Sequence, residues 1–302
     1  MEAEPLVTVI IPTYKRPWDF LGRAVRSVLS QSYGNIELIV IDDSPADYEN
    51  RDDNIARMTE LTEKDPRVKL LVNDENMGGS LARNRGIDAA KGRFITFLDD
   101  DDEYLPDKIK HQAAFMEEHT CDLSFEDMKM YNMKEELVDV REYKDIESFD
   151  NDYLLHYHLM HHLTGTPTYM FRAEKLREIG GFDDAKMGQE FHLMLKSIQS
   201  GLSILYYPVC DVKIYKHPYG GLCSGKNKIN GERDLYKFKK SYFSQLSARE
   251  KMYIRFRHYA VMVVAYKRSK QYLMMPVEGV LAFCASPADF VTEVPGFFKK
   301  IT

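Results

Sequence analysis

Four short apolar runs between residues 7 and 98 alternate with three segments of helical period, and this alternation restricts the fold more than any other feature. Val7 to Ile11 and Ile36 to Ile41 are uninterrupted and rich in β-branched residues, as strands covered on both faces are. Val68 to Val72 and Phe94 to Leu98 read as a third and a fourth strand. Between them Phe20, Leu21, Ala24, Val25, Val28 and Leu29 recur at helical spacing, Ile55 to Leu61 reads as a second helix, and Ser80 to Ala90 as a third, entered through Gly78-Gly79. This repetition predicts an α/β fold built on a mostly parallel sheet flanked by helices. Ligands of such sheets bind beyond the carboxyl ends of the strands.

Three of the four strand ends carry unusual polar sequences: Pro12-Thr13-Tyr14, Asp42-Asp43-Ser44 and Asp99-Asp100-Asp101-Asp102. Adjacent carboxylates repel and raise one another's pKa, so four in a row at the mouth of an apolar strand are unfavourable without a partner. A divalent cation removes that penalty, and hard oxygen donors suit magnesium or manganese. In an extended chain Asp99 and Asp101 share one side while Asp100 points to the other, so one carboxylate reaches a metal and its neighbour a ligand hydroxyl. A solvated turn with an N-cap for the helix after Pro106 is the competing use.

Four segments, taken together, are specific. Val7-Thr8-Val9-Ile10-Ile11-Pro12-Thr13-Tyr14, Glu37-Leu38-Ile39-Val40-Ile41-Asp42-Asp43-Ser44, Asn76-x-Gly78-Gly79-x-x-Ala82-Arg83-Asn84-x-Gly86 and Phe97-Leu98-Asp99-Asp100-Asp101-Asp102 resemble, in order and spacing, the nucleotide-sugar-binding half of family 2 glycosyltransferases. The resemblance covers residues 6–106 and continues through Gly180-Gly181-Phe182-Asp183 and Gly188-Gln189-Glu190 to about His217. It implies a GT-A fold with a Rossmann-like, mostly parallel sheet. It also implies transfer of a sugar from a nucleoside-diphosphate sugar, a UDP-sugar first among them, to a glycan or lipid-linked acceptor in cell-surface polysaccharide synthesis.

The resemblance also implies roles. Pro12, Thr13 and Tyr14 would line the nucleotide, with Tyr14 stacking on a uracil or similar base. Asp43, an acceptor-only group, would take a hydrogen bond from a pyrimidine ring N–H; turn use is the alternative, and is stronger for Asp42. Gly78-Gly79 would let backbone approach the ligand, and Arg83 would pair with base carbonyl or phosphate oxygens. Asp100 would hold the ribose and Asp101 a Mn2+ or Mg2+ ion on the diphosphate, with Asp99 in support. His217, in Tyr215-Lys216-His217-Pro218, would be a metal or phosphate ligand, with Lys213, Lys216 and Lys226 adding positive potential. The acceptor hydroxyl must lose its proton as it attacks, and the family places a carboxylate for this at a helix start, in a Glu-Asp pair. The matching residues are Gln189 and Glu190, which makes Glu190 the catalytic base; a helix N-terminus favours its charged form. Inversion through a single displacement is implied. Gln189 departs from the pattern and motivates the alternative of a non-catalytic GT-A domain that binds a nucleotide sugar or a protein partner.

The rest of the chain divides less clearly. A helix follows Pro106 to about His119, the stretch 120–163 holds strand-like pieces around Asp122–Tyr131, and His156, His158, His161 and His162 lack the spacing of a metal site. Thr164-Gly165-Thr166 is a candidate acceptor-side loop, followed by a short strand at Thr168 to Phe171 and helices at Ala173 to Ile179 and Gln189 to Ser200. We place the glycosyltransferase domain at 1–225, with a donor half 1–106 and an acceptor half 107–225, and a helical extension at 226–302. The net charge of −6 conceals a basic extension, fifteen Lys and Arg against six Asp and Glu, on a body of −15. Its Tyr236, Phe238, Lys239, Lys240, Tyr242, Phe243, Arg255, Phe256, Arg257 and Tyr259 suit peripheral contact with an anionic membrane or a homodimer of helical hairpins, while the acidic body argues against nucleic acid. The scattered Cys121, Cys210, Cys223 and Cys284 and the acidic start point to the cytoplasm, at the inner face of the membrane.

Overall fold

Strands without a polar face must be covered on both sides, and β1 (Val7–Thr13) and β2 (Ile36–Asp42) are, as buried parallel neighbours. The computed structural model describes residues 4–163, 165–185, 187–216 and 225–299. α1 (Trp18–Leu29) packs Leu21, Ala24, Val25 and Val28 into one core with Val9, Ile11, Leu38 and Val40. After α2 (Arg51–Lys64), β3 (Val68–Val72) extends the sheet in parallel beyond β2. α3 (Gly79–Ala89) covers the opposite face, so close at Gly86 that a Cβ there would stand 2.7 Å from Ile10 Cγ2 and 3.0 Å from Ile41 Cδ1. β4 (Phe94–Phe97) then returns to the other edge of β1. The chain thus leaves β1 toward β2 and β3 and comes back beside it as β4, a topological switch point at which α/β sheets open a ligand crevice.

Beyond β4 come β5 (Glu103–Tyr104), α4 (Lys108–His119), β6 (Leu123–Glu126), β7 (Met128–Asn132), β8 (Leu137–Arg141), α5 (Asn151–His161), β9 (Met170–Arg172), α6 (Ala173–Glu178), α7 (Gln189–Gln199), β10 (Ile204–Tyr207) and β11 (Val212–Lys216). The main sheet has the order β10-β6-β9-β4-β1-β2-β3, with β9 antiparallel to both neighbours, and a second sheet runs β5-β11-β7-β8. The strand expected at Thr168 to Phe171 begins two residues later, because Pro167 sits in a 3-10 turn over Thr166–Thr168. The stretch 120–163 resists reading because β6 and β7 are separated by Asp127 alone yet belong to different sheets, and β8 is mostly exposed.

Two compact units emerge. One contains both sheets with α1–α4, α6 and α7. The other gathers α5 with α8 (Gly225–Lys240), α9 (Ala248–Arg268), α10 (Met275–Ala285) and α11 (Pro287–Lys299). In the second unit the histidines of α5 are engaged by protein groups: His156 Nδ1 meets Glu250 Oε1 at 2.6 Å, and His158 Nδ1 accepts from the Leu163 amide at 3.0 Å. The aromatic-basic stretch of α8 and α9 is split, with Lys240 and Arg255 exposed and others packed within the unit. Phe256 is fully buried, Tyr236 stacks on His258 at 4.0 Å, and buried Lys239 donates to the Leu159 carbonyl at 2.6 Å.

Candidate active site

The switch point brings the ends of β1 and β4 together. Thr13 Oγ1, at the end of β1, donates to Asp100 Oδ2 at 2.7 Å, and the Tyr14 amide donates to the same oxygen at 3.4 Å. Arg16, two residues on, spans two carboxylates: Nε reaches Asp100 Oδ1 and Nη2 reaches Asp101 Oδ2, each at 2.9 Å. The alternation expected for residues 99–101 is absent, because the chain turns there. The Asp102 amide donates to the Asp99 carbonyl at 3.1 Å, and that turn lets Asp100 and Asp101 share one guanidinium. Burial pushes the Asp100 carboxyl up to about 6 against the pull of Arg16, with Asp101 adding repulsion. Asp102 is buried, accepts from the Tyr215 amide at 2.9 Å and is raised well above the usual range by burial and then by Asp101. The Arg23 guanidinium donates to the Asp101 carbonyl and lies 4.0 Å from the Tyr215 ring centroid, which braces the turn.

A second guanidinium ties this corner to α7. Arg83, on α3, donates through Nη2 to Asp99 Oδ1 at 2.5 Å and through Nη1 to Gln189 Oε1 at 2.9 Å, with its guanidinium 5.5 Å from the Phe182 ring. Gln189 is the first residue of α7, and its Nε2 donates to the Ala185 carbonyl at 3.1 Å. The first turn of α7, which carries Glu190, is thereby anchored to the acidic turn. Arg83 thus braces Asp99 and Gln189, while its buried Nε has no hydrogen-bond partner among the described residues. Gln189, which stands where the family pattern has Glu, accepts from Arg83 through its amide oxygen.

The remaining predicted residues fall around this corner in different ways. Asp43, just past β2, is buried and accepts from Asn73 Nδ2 at 2.6 Å and from the Met77 and Gly78 amides at 2.8 Å each, so it holds the loop that enters α3. The turn role expected of Asp42 is observed in its 3.2 Å bond from the Ser44 amide, and Arg51 pairs with it at 3.0 Å. Pro12 lies within β1 opposite Ile41, and Tyr14 is 45% exposed, with the Lys15 ammonium 5.7 Å from its ring centroid. His217 and Thr164 lie outside the described residues. Lys213 and Lys216 are committed to Glu135 and Asp139. Sequence reasoning missed Arg16 and Arg23; the signal available was a basic residue placed two after a strand-end tyrosine.

Among the described residues no three His, Cys, Asp or Glu side chains are gathered as a ready metal cage. The donors present are carboxylate oxygens at the crevice rim, with the side chain of Asp99 37% exposed and that of Asp101 17%. Such a set fits a hard cation, because magnesium uses one or two carboxylates and takes its other ligands from water and phosphate.

The family model described as "Glycosyl transferase family 2" matches residues 8–178, more than half of the chain, and the chain belongs to that family. Among curated proteins it is similar to the putative teichuronic acid biosynthesis glycosyltransferase TuaG of Bacillus subtilis, at 38% identity over 122 residues, 40% of this chain and 46% of that protein. It is similar also to the UDP-Glc:alpha-D-GlcNAc-diphosphoundecaprenol beta-1,3-glucosyltransferase WfgD of Escherichia coli, at 34% identity over 127 residues, 42% of this chain and 47% of that one. The matched stretch spans less than half the length of either relative. The crystal structure of S. aureus TarS 1-349 in complex with UDP-GlcNAc superposes with a TM-score of 0.60 and 18% identity, covering 94% of this chain and 88% of that one. The fold is GT-A.

Proposed function

We propose that the chain transfers a sugar from a UDP-sugar to a lipid-linked or glycan acceptor in the synthesis of a cell-surface polysaccharide, with inversion at the anomeric carbon. One observation carries this reading: Arg83 joins the acidic turn, through Asp99, to the first turn of the helix bearing Glu190. A leaving diphosphate and a deprotonating carboxylate need to be held at a fixed separation, and a bidentate guanidinium between two rigid elements does that. The UDP-GlcNAc in TarS supports the donor class, and the names of TuaG and WfgD support the acceptor class.

In this reading the Tyr14 face receives the uracil, one Asp43 oxygen takes its ring N–H, and Asp100, already shaped by Thr13 and Arg16, takes a ribose hydroxyl. Asp101, with Asp99 beside it and with His217 by the family resemblance, would hold a Mg2+ or Mn2+ ion, which when bound supplies Lewis-acid neutralisation of the diphosphate. Glu190 accepts the proton of the acceptor hydroxyl as its oxygen bonds to the anomeric carbon and the carbon–phosphate oxygen bond breaks. One carboxylate suffices for that single displacement. The test is Glu190→Gln. It should retain the thermal shift given by UDP-sugar while transfer falls by about 10²–10⁴-fold, the usual worth of a general base. Full transfer by that variant would place the base elsewhere, and a wild-type chain that binds UDP-sugar yet neither transfers nor hydrolyses it would leave the binding-domain alternative.

A further inference from the structure

Helix α10 presents an apolar stripe to solvent on the side opposite its packing. Met275, Ala282 and Ala285 belong to apolar clusters formed with α9, and Glu278 is buried on the same side. On the other side Leu273, just before the helix, is 92% exposed, Val277 49% and Val280 61%, with Leu281 completing the stripe at helical spacing. Between Gln271 and Ala285 the sequence holds one charged residue, Glu278, and the fold has withdrawn it, so the outer face of α10 carries no charge. A water-facing helix normally bears charged residues there, and a contiguous apolar patch marks a surface that meets something.

Two features select the occupant. Arg268 and Lys270, both exposed, stand at the N-terminal end of the stripe, next to exposed Tyr272. Among the described residues no single helix is long and apolar enough to cross a membrane, but Tyr272–Ala285 and Pro287–Glu293 together reach that length and apolarity and are bent by 117° at their junction. Pro287, which cannot continue the preceding helix, makes the break. A bent apolar pair with a basic, aromatic end has the form of a segment lying in one leaflet, its cations among anionic headgroups. We infer that the α10–α11 surface docks this protein on an anionic bilayer, inserting the Leu273–Leu281 stripe. The inference stands apart from the transfer reading, since it uses no residue of that site.

The test is co-sedimentation of the full chain with phosphatidylcholine vesicles with and without phosphatidylglycerol. The chain should pellet with the anionic vesicles. Leu273→Glu with Val280→Glu should lower the partition coefficient by about tenfold or more, since each buried side chain of this size is worth a factor of that order. Arg268→Glu with Lys270→Glu should lower it by roughly fivefold per charge removed and abolish the preference for anionic lipid. Circular dichroism should be unchanged in both. Absence of wild-type binding to either vesicle would overturn the inference. So would a wild-type dimer in light scattering that Leu273→Glu with Val280→Glu dissociates, because a second copy would then cover the stripe.

Discussion

Removing the Arg83 guanidinium separates the two halves of the candidate site, and the structure sets the size of the effect. Arg83→Met keeps most of the aliphatic stem and deletes the bonds to Asp99 and Gln189 and the contact with Phe182. The Asp99 side chain is 37% exposed, so water re-solvates it and the lost pair is worth nearer the ~1 kcal/mol of a surface ion pair than the value of a buried one. The Gln189 bond adds about 1 kcal/mol and the guanidinium over the ring about 0.5–1 kcal/mol. The total of about 2–3 kcal/mol corresponds to a fall in Tm of roughly 5–10 °C for a unit of this size. Transfer should fall further than stability requires, because Gln189 no longer fixes the first turn of α7. Arg83→Lys separates the effects: one ammonium restores the pair with Asp99 but lacks the fork that also reaches Gln189, so melting recovers in part while kcat stays low. Melting within about 1 °C of wild type together with undiminished kcat in Arg83→Met would refute the bracing role.

The other predictions concern the frame around the site. Burial pushes the Glu126 carboxyl, at the end of β6, up to about 8 against the pull of Lys108. The folded state thus holds a proton that the unfolded chain releases near a pKa of about 4.3, and stability is lost as pH rises from there to about 8. Glu126→Gln should flatten that part of the Tm–pH curve and raise Tm at its alkaline end; curves parallel to wild type would contradict the assignment. Gly86→Ala drives a methyl against Ile10 and Ile41 and should cost about 1–3 kcal/mol in urea titration with the m-value unchanged. Asp101→Ala should keep the wild-type fold by circular dichroism and lose sugar transfer, and near-normal turnover would remove Asp101 from the donor site.

The part of the fold that positions the site was legible because burial on both faces leaves a local mark. Val9, Ile10 and Ile11 or Leu38, Ile39, Val40 and Ile41 need no alternation, and their polar ends then stand out. The Asp99–Asp102 turn was not legible as a turn, because an aspartate run is compatible with extended and turned backbone alike, and the choice is made by hydrogen bonds to Thr13, Tyr14 and Tyr215 from distant elements. Arg16 escaped for the same reason: nothing within two or three residues shows that its guanidinium reaches carboxylates 84 and 85 positions away. In the helical unit, composition located the aromatic and basic residues of α8 and α9 but could not orient them. The fold stacks Tyr236 on His258, buries Phe256 and leaves the uncharged face of α10 outside.

The most direct test of the account is a crystal structure of the chain soaked with UDP-GlcNAc and Mn2+. The uracil is expected against Tyr14 with its ring N–H toward Asp43, the diphosphate beside Asp101 at the β1–β4 switch point, and the Glu190 carboxylate facing the anomeric carbon from the acceptor side. A nucleotide bound away from that corner, or a Glu190 side chain directed away from the sugar, would contradict it.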